Sequence, residues 1–387
     1  MFYNQAVDSL GRLKLLTDQM HLEPAEDEAI RLCFTQKQQR ETFIHPARLP
    51  NGRSIQLLKT LLTSACERDC YYCPFRAGRN FQRATFKPDE FASLFINLHH
   101  VGAVEGIFLS SALVGGGIRT QDKLLDTADI LRNKYKFRGY IHLKLMPGVE
   151  KDQVYRAMQL VDRVSVNLEA PNTGRLLRLA PHKQFTEELL QPLKWVEEIR
   201  RAKPAYKGWN GRWPSSVTQY VVGGSDESDL ELLVTTHWLH KNVRLKRAYF
   251  SAFSPIRDTP LEHKTPTSPL RERRLYQASY LLRDYGFDLE EMPFCEDNNL
   301  PVLIDPKLAW AQKHLLEQPT EINQADKHGL MRIPGIGQVG AMRIIRARRQ
   351  KMLQDLSMLK KLGVDTERAR PFILLNGKKA STQLALL

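Results

Sequence analysis

Ser54–Cys73 reads SIQLLKTLLTSACERDCYYC. It opens on an apolar run, Ser54–Thr63, and ends on three cysteines, Cys66, Cys70 and Cys73, at C-x3-C-x2-C spacing. The run reads as a strand and the cysteines as the loop that follows it. Thiolates are soft ligands that suit iron–sulfur clusters or zinc. A four-thiolate cluster and a structural zinc site each take four ligands. Only Cys33 and Cys295 remain elsewhere in the 387 residues, and no histidine lies between Gly52 and Leu98. A zinc site would need a distant fourth ligand. Three thiolates on a cubane of four irons leave one iron open to a substrate or cofactor.

Downstream of the cysteines, strands alternate with helices. Expected strands are Gly106–Ser111, Gly139–Leu145, Arg163–Leu168, Val217–Val222 and Arg247–Ala252. Expected helices are Pro88–Leu98, Gln121–Lys134, Asp152–Leu160, Thr186–Arg200, Asp229–Leu239 and Leu270–Tyr285. This alternation indicates an α/β chain with a parallel sheet built from βα units. Six units are too few for an eight-unit barrel, so an incomplete, open barrel is expected. In such folds chemistry sits beyond the C-terminal ends of the strands. The cysteines, Gly115-Gly116-Gly117 and Gly223-Gly224 all fall there.

Upstream, residues 1–53 read as a helical extension. Ala6, Leu10, Leu13 and Leu16 recur at helical spacing, and a second helix is expected over Ala25–Phe34 with Cys33 as a buried structural thiol. Five cysteines in a large chain do not form a disulfide framework. No apolar run approaches the roughly 18–20 residues of a membrane span, and the first residues lack the pattern of a secretory signal. The expectation is a cytoplasmic protein without a membrane partner. The formal charge of +14 points to a polyanionic partner.

The cysteine motif, with Tyr72 as the aromatic before its last cysteine, resembles that of the radical SAM superfamily. The resemblance implies a [4Fe-4S] cluster on Cys66, Cys70 and Cys73 and a partial (β/α)6 radical SAM barrel. The open iron would chelate S-adenosyl-L-methionine, and one electron would cleave its sulfonium to methionine and a 5′-deoxyadenosyl radical. A reductant such as flavodoxin or ferredoxin is implied as donor. The superfamily often carries a Gly-Gly-Glu turn after its second strand. Here Gly115 and Gly116 lie a little later without the acid, and Ser110 and Ser111 are placed to substitute. Asn167 and Glu169 end the fourth expected strand and Gly223 and Gly224 the fifth, so these are further candidate cofactor contacts beside Tyr72. On the third strand, His142 reads as structural.

A second motif, Leu330–Ile345 (LMRIPGIGQVGAMRII), resembles the helix-hairpin-helix nucleic-acid-binding motif. Pro334 ends one helix and Gly335-Ile336-Gly337 turns tightly into the next. Glycines allow close backbone approach, and N–H groups at a helix start bind phosphate. Such contacts read the backbone rather than the sequence. Between Met331 and Lys379 twelve Lys and Arg stand against three Asp and Glu, a net +9. Pro334, Gly335, Ile336, Gly337, Arg343 and Arg346 are the candidate contacts, in a separate all-α domain over 323–379. A degenerate second hairpin falls at Leu356–Phe372. Residues 54–295 are assigned to the barrel and 296–322 to a linker or packing segment. The loop 203–216, with Tyr206, Trp209 and Trp213 among cations, is a weaker candidate for stacking exposed bases.

Ser54-x-x-Leu57-Leu58-Lys59, Arg83-Ala84-Thr85-Phe86, Gly139–Lys144, Ser165–Glu169, Leu179-Ala180-Pro181, Ser254-Pro255 and the terminal hairpin together resemble the DNA modification/repair radical SAM proteins. Their genes are linked to that of a uracil-DNA-glycosylase-like protein, which the resemblance makes a candidate partner. It implies action on a nucleic acid, DNA first. The alternatives are an RNA-modifying radical SAM enzyme and a non-catalytic nucleic-acid-binding protein with a structural or sensing Fe–S cluster.

Overall fold

The computed structural model describes residues 9–17, 44–49 and 52–379. The expected second helix, Cys33 and Ala6 lie outside them. Helix α1 (Ser9–Thr17) buries Leu13 and Leu16, whereas Leu10 is exposed. The chain divides into two compact units, one of residues up to Glu227 with Trp238–Thr267, the other of Ser228–His237 with Ser268 onward.

In the first unit a seven-stranded sheet runs in chain order: β1 (Ile44–Arg48), β2 (Ser54–Leu61), β3 (Gly106–Ser110), β4 (Tyr140–Lys144), β5 (Arg163–Glu169), β6 (Ser215–Val222) and β7 (Arg247–Ala252). β2 to β7 are parallel throughout, the six expected units. Their buried runs, complete in β3 and β5, are those of strands covered on both faces. Between them come α2 (Pro88–His100), α3 (Gly117–Asp129), α4 (Lys151–Leu160), α5 (Thr173–Leu177), α6 (Gln191–Ala202) and α7 (Asp229–Asn242), the last divided between the units. In a flat sheet β2 and β7 would stand about 24 Å apart at the usual strand spacing. Yet Leu61 at the end of β2 and Ser251 on β7 line one cavity. The sheet therefore curls, and since β7 pairs only with β6 among the described strands, it is an open partial barrel.

Two features extend the expectation. β1 is an antiparallel edge strand, Ile44 opposite Leu58 and Arg48 opposite Ser54, so the sheet starts inside the stretch read as helical. Its Pro46 suits an edge, where a missing N–H costs no ladder bond. β5 carries a register shift between Asn167 and Glu169, and Glu169 has φ +65. A non-glycine residue there stores of order 1–3 kcal/mol of strain.

The second unit contains α8 (Pro269–Asp284), α9 (Pro306–His314), α10 (Lys327–Arg332), α11 (Gln338–Arg348), α12 (Leu356–Lys361) and α13 (Thr366–Ala369). It is not all-α. Strands β8 (Thr320–Glu321), β9 (Ile373–Leu375) and β10 (Lys378–Lys379) form a small sheet. Asn376 and Gly377 both take positive φ in the tight hairpin between β9 and β10, as the Asn-Gly dipeptide favours. The segment read as a linker holds α9, capped by the Asp305 carboxylate accepting the Leu308 N–H at 3.0 Å.

Candidate metal centre and candidate nucleic-acid interface

The cysteines lie where β2 runs out at the C-terminal mouth of the sheet. The loop they occupy, residues 64–85, is held mostly by backbone groups. Glu67 N–H donates to the Leu113 carbonyl at 2.8 Å, Tyr71 N–H to Leu179 at 2.7 Å and Ala77 N–H to Arg68 at 2.7 Å. Cys73 N–H turns back on the Cys70 carbonyl at 3.3 Å. The organiser is Arg83. Its guanidinium donates to the carbonyls of Ser64 (2.6 Å), Phe75 (3.0 Å), Arg76 (2.8 Å) and Arg79 (3.3 Å), so one side chain closes the loop from both ends. Arg83→Ala leaves four carbonyls without their donor. It should cost roughly 2–4 kcal/mol of stability and lower the iron retained after reconstitution several-fold. Arg83→Lys should not restore either, because one ammonium does not span the fork. Denaturation midpoints and iron content of both variants check this; full rescue by lysine would contradict it.

Cys66, Cys70 and Cys73 line one cavity, together with Tyr72. Among the described residues no three His, Cys, Asp or Glu converge to hold a single ion. A cubane places each thiolate on a different iron, so its ligands need not converge. Facing the cysteines are Ser110 at the end of β3 and Ser111 just beyond it, Lys144 on β4, Asn167 and Glu169 on β5 and Gln219 on β6. Asn167 donates its amide to the Gln219 carbonyl at 3.2 Å. Ser110 Oγ is buried and finds no partner among the described residues, as expected of an atom that waits for a ligand.

Charge concentrates on Glu169, only 4% exposed. Lys183 Nζ lies 3.1 Å from its Oε1. Burial pushes the Glu169 carboxyl up, but the Lys183 and Lys144 charges and the Tyr72 hydroxyl outweigh burial and hold it below the usual carboxylate range. Burial likewise pulls Lys183 down, and the Cys70 and Glu169 charges more than reverse this. Burial raises the Cys70 and Cys73 thiols, Lys183 opposing it at both. Tyr72 is pushed well above the phenol range, chiefly by burial and then by the Glu169 charge.

Of the candidate cofactor contacts, Tyr72, Ser110, Ser111, Asn167 and Glu169 are brought together on this cavity. Four glycines are engaged outside its lining. Gly115 and Gly116 donate their N–H groups to the two Glu67 carboxylate oxygens at 2.9 and 3.1 Å, which ties their turn to the cysteine loop. The next residue, Gly117, is a close-approach site, since a Cβ there would lie 2.0 Å from the Pro147 carbonyl oxygen. Gly223 N–H donates to the Glu227 carboxylate, and Gly224 packs against Leu179 and Val221. His142 is buried, its ring tilted by 50° against that of Phe108 with centroids 4.5 Å apart. The loop 203–216 leads into β6, which takes up its last two residues, and so lies at the N-terminal edge of the strands, opposite the thiols. Its Trp209 is covered by the Arg132 guanidinium at 3.7 Å, and Trp213 donates to the Lys203 carbonyl at 3.2 Å. Trp209 is thus covered by a barrel residue, whereas the Trp213 bond stays within the loop; Tyr206 is exposed.

In the second unit, α10 and α11 flank the Ile333–Gly337 turn and α12 and α13 flank Leu362–Val364, so each candidate stretch is a short helix, a turn and a second helix. The two turns are bonded together. Asp365 N–H donates to the Gly335 carbonyl at 3.1 Å, and Arg343 donates to the Leu362 carbonyl at 3.2 Å. Pro334 and Ile336 are buried, Gly335 and Gly337 half-buried, and Arg343 and Arg346 exposed on α11 beside Val339 and Met342, which are 64% and 49% exposed. Lys307, absent from the sequence reading, donates to the Ile336 carbonyl at 2.6 Å, and burial pulls its ammonium down to about 7. Arg332 is no phosphate candidate, because Glu291 holds it at 2.9 Å.

No family model matches the chain, and no curated protein matches it. Among solved structures it is similar to the FeFe-hydrogenase maturase HydG from Carboxydothermus hydrogenoformans, at 14% identity and TM-score 0.47 over 59% of this chain and 51% of that one. Methylornithine synthase PylB matches at 12% and 0.45, over 59% and 63%. The radical S-adenosylmethionine methyltransferase TsrM from Kitasatospora setae matches at 12% and 0.40, over 56% and 39%. The chain thus spans about half the length of the HydG it resembles. Among the described residues no helix is long and apolar enough to cross a membrane.

Proposed function

We propose that this chain is a radical SAM enzyme that acts on a nucleic acid, with DNA as its first substrate class. The observation that carries the reading is the cavity. Three thiols from one loop, an orphaned buried hydroxyl at Ser110 and the Glu169–Lys183 pair meet at the C-terminal mouth of a parallel partial barrel. The donor set suits a [4Fe-4S] cluster held by Cys66, Cys70 and Cys73, with Ser110, Ser111, Asn167 and Glu169 as the polar wall for S-adenosylmethionine. When bound, the cluster and S-adenosylmethionine supply reductive cleavage of the sulfonium and a 5′-deoxyadenosyl radical. The protein's share is to orient and shield. The apolar strand residues beneath the cavity exclude water, and the loop bonds described above hold the thiols in place. The basic hairpin unit supports the nucleic-acid part, through turn N–H groups and the exposed Arg343 and Arg346. A base within reach of the cavity must be flipped out or already single-stranded.

Anaerobic reconstitution and reduction test this. 5′-Deoxyadenosine should be released from S-adenosylmethionine, and DNA should stimulate its release. Greater stimulation by RNA moves the assignment to RNA modification. No release under any condition overturns the enzyme reading and leaves a nucleic-acid-binding protein with a sensing cluster. For the hairpin, Arg346→Ala should weaken binding to unrelated sequences alike and reduce the salt slope by about one. A loss confined to one sequence would contradict backbone reading.

A further inference from the structure

We propose that Lys183 is the counter-cation of the thiolate site, holding a fixed positive charge that makes the cluster easier to reduce. This rests on the cluster reading above and adds to it a residue that no cysteine motif contains. Lys183 comes from the loop after α5, not from a barrel strand, yet it lines the same cavity as the three cysteines. Its side chain is only 10% exposed and its Nζ is 3.1 Å from Glu169. A buried ion pair is weak grounds for stability, because two desolvated charges about cancel their attraction. This one is also built at a cost, since Glu169 holds a positive φ at a register break in β5.

The pair is tied to the ligand loop on both sides. Tyr72, which lies between Cys70 and Cys73, lines the same cavity as Glu169, and its hydroxyl favours the Glu169 carboxylate. The segment carrying Lys183 is pinned to the same loop at several points, among them an Arg68 bond to the His182 carbonyl. Tyr71 N–H donates to the Leu179 carbonyl at 2.7 Å, Asp69 pairs with His182 at 2.9 Å and Arg68 with Glu188 at 2.5 Å. The backbone that carries Lys183 is therefore fixed to the cysteine loop, and Glu169 holds its ammonium in the cavity. Reduction adds one electron, supplied by a low-potential external reductant, to a cluster that already carries three thiolates. In a buried site a nearby cation lowers the free energy of that added charge, and a nearby carboxylate raises it.

The two partners must then act with opposite sign. In redox titrations of the reconstituted protein, read by visible absorbance and electron paramagnetic resonance, Lys183→Met should shift the midpoint to more negative potential. Glu169→Gln should shift it to more positive potential, the double variant should fall between them, and Lys183→Arg should stay close to wild type. A purely structural pair would instead shift both single variants the same way, or leave the midpoint unchanged while cluster content falls. Either result overturns the proposal. If Lys183→Met does not retain its cluster, Lys183→Gln takes its place, and an unchanged or positive shift decides against the proposal. Failure of the underlying reading looks different: wild-type protein would take up no iron and sulfide, and both would fall together.

Discussion

Replacing Cys70 by alanine is expected to abolish the cluster and leave the fold standing. Of the three motif cysteines Cys70 is the most buried, at 6% exposure. Its neighbours would meet a methyl group in place of a thiol, a loss of about 1 kcal/mol by the usual cost of small core truncations. The loop keeps the backbone bonds and the Arg83 fork that shape it, since none of them uses the Cys70 side chain. The chemistry is not buffered in that way. Two thiolates cannot hold a four-iron cluster in the geometry that three define. Changes to residues that merely support a ligand already cost roughly 10–100-fold in metal affinity or activity, so loss of a ligand should exceed that. The visible absorbance of the reconstituted cluster should vanish, and 5′-deoxyadenosine release should fall to background. The melting temperature and the affinity for DNA should stay near wild type. A variant that keeps four irons per chain, or keeps releasing 5′-deoxyadenosine, would remove Cys70 from the cluster and the three-thiolate reading with it.

The fold was legible because its largely buried strands appear as short apolar-rich segments that alternate with helical ones. All six parallel strands fall within a residue or two of the expected positions. β1 was not legible: five residues with a proline at an edge carry no run and no alternation. The helix Pro306–His314 does carry its signal, Asp305 before Pro306, but the stretch around it has the composition of a connection. In the site, the cysteine spacing was local and therefore readable. Arg83, Glu67 and Lys183 act on partners far away in sequence, 19, 48 and 14 positions distant at the bonds described. Polar residues in loops have no periodicity to expose such roles. The glycine turn shows the converse. Its residues were conspicuous in sequence, but Gly115 and Gly116 answer to Glu67, and Gly117 to the backbone at Pro147. For loop 203–216 topology alone was decisive, since a segment that leads into a parallel strand lies at the end away from the chemistry.

Gly335→Val is expected to disable the C-terminal unit, and by more than removal of any one of its charges. Gly335 takes φ +83, where a side chain is strained by roughly 1–2 kcal/mol. A Cβ there would also meet the Asp365 carbonyl oxygen at 2.3 Å, a backbone atom that cannot swing aside. The only relief is to part the two hairpin turns, and that breaks the Asp365 N–H to Gly335 carbonyl bond joining them. The packing around Ile336, Ile344 and Val364, all buried, would loosen with it. Strain, clash and lost packing together should cost on the order of 3 kcal/mol or more. By contrast Arg346 is exposed, and its removal would forfeit only the one phosphate contact proposed for it. Calorimetry should therefore show the transition of this unit falling by several degrees or more. DNA affinity should drop at least about tenfold, to a similar extent on every sequence tried, and by clearly more than in Arg346→Ala. Cluster absorbance should persist, since the cysteines belong to the other unit. Wild-type affinity in a Gly335→Val protein whose C-terminal unit has melted would show that nucleic acid is bound elsewhere. Wild-type melting would show that the two hairpin turns do not depend on each other.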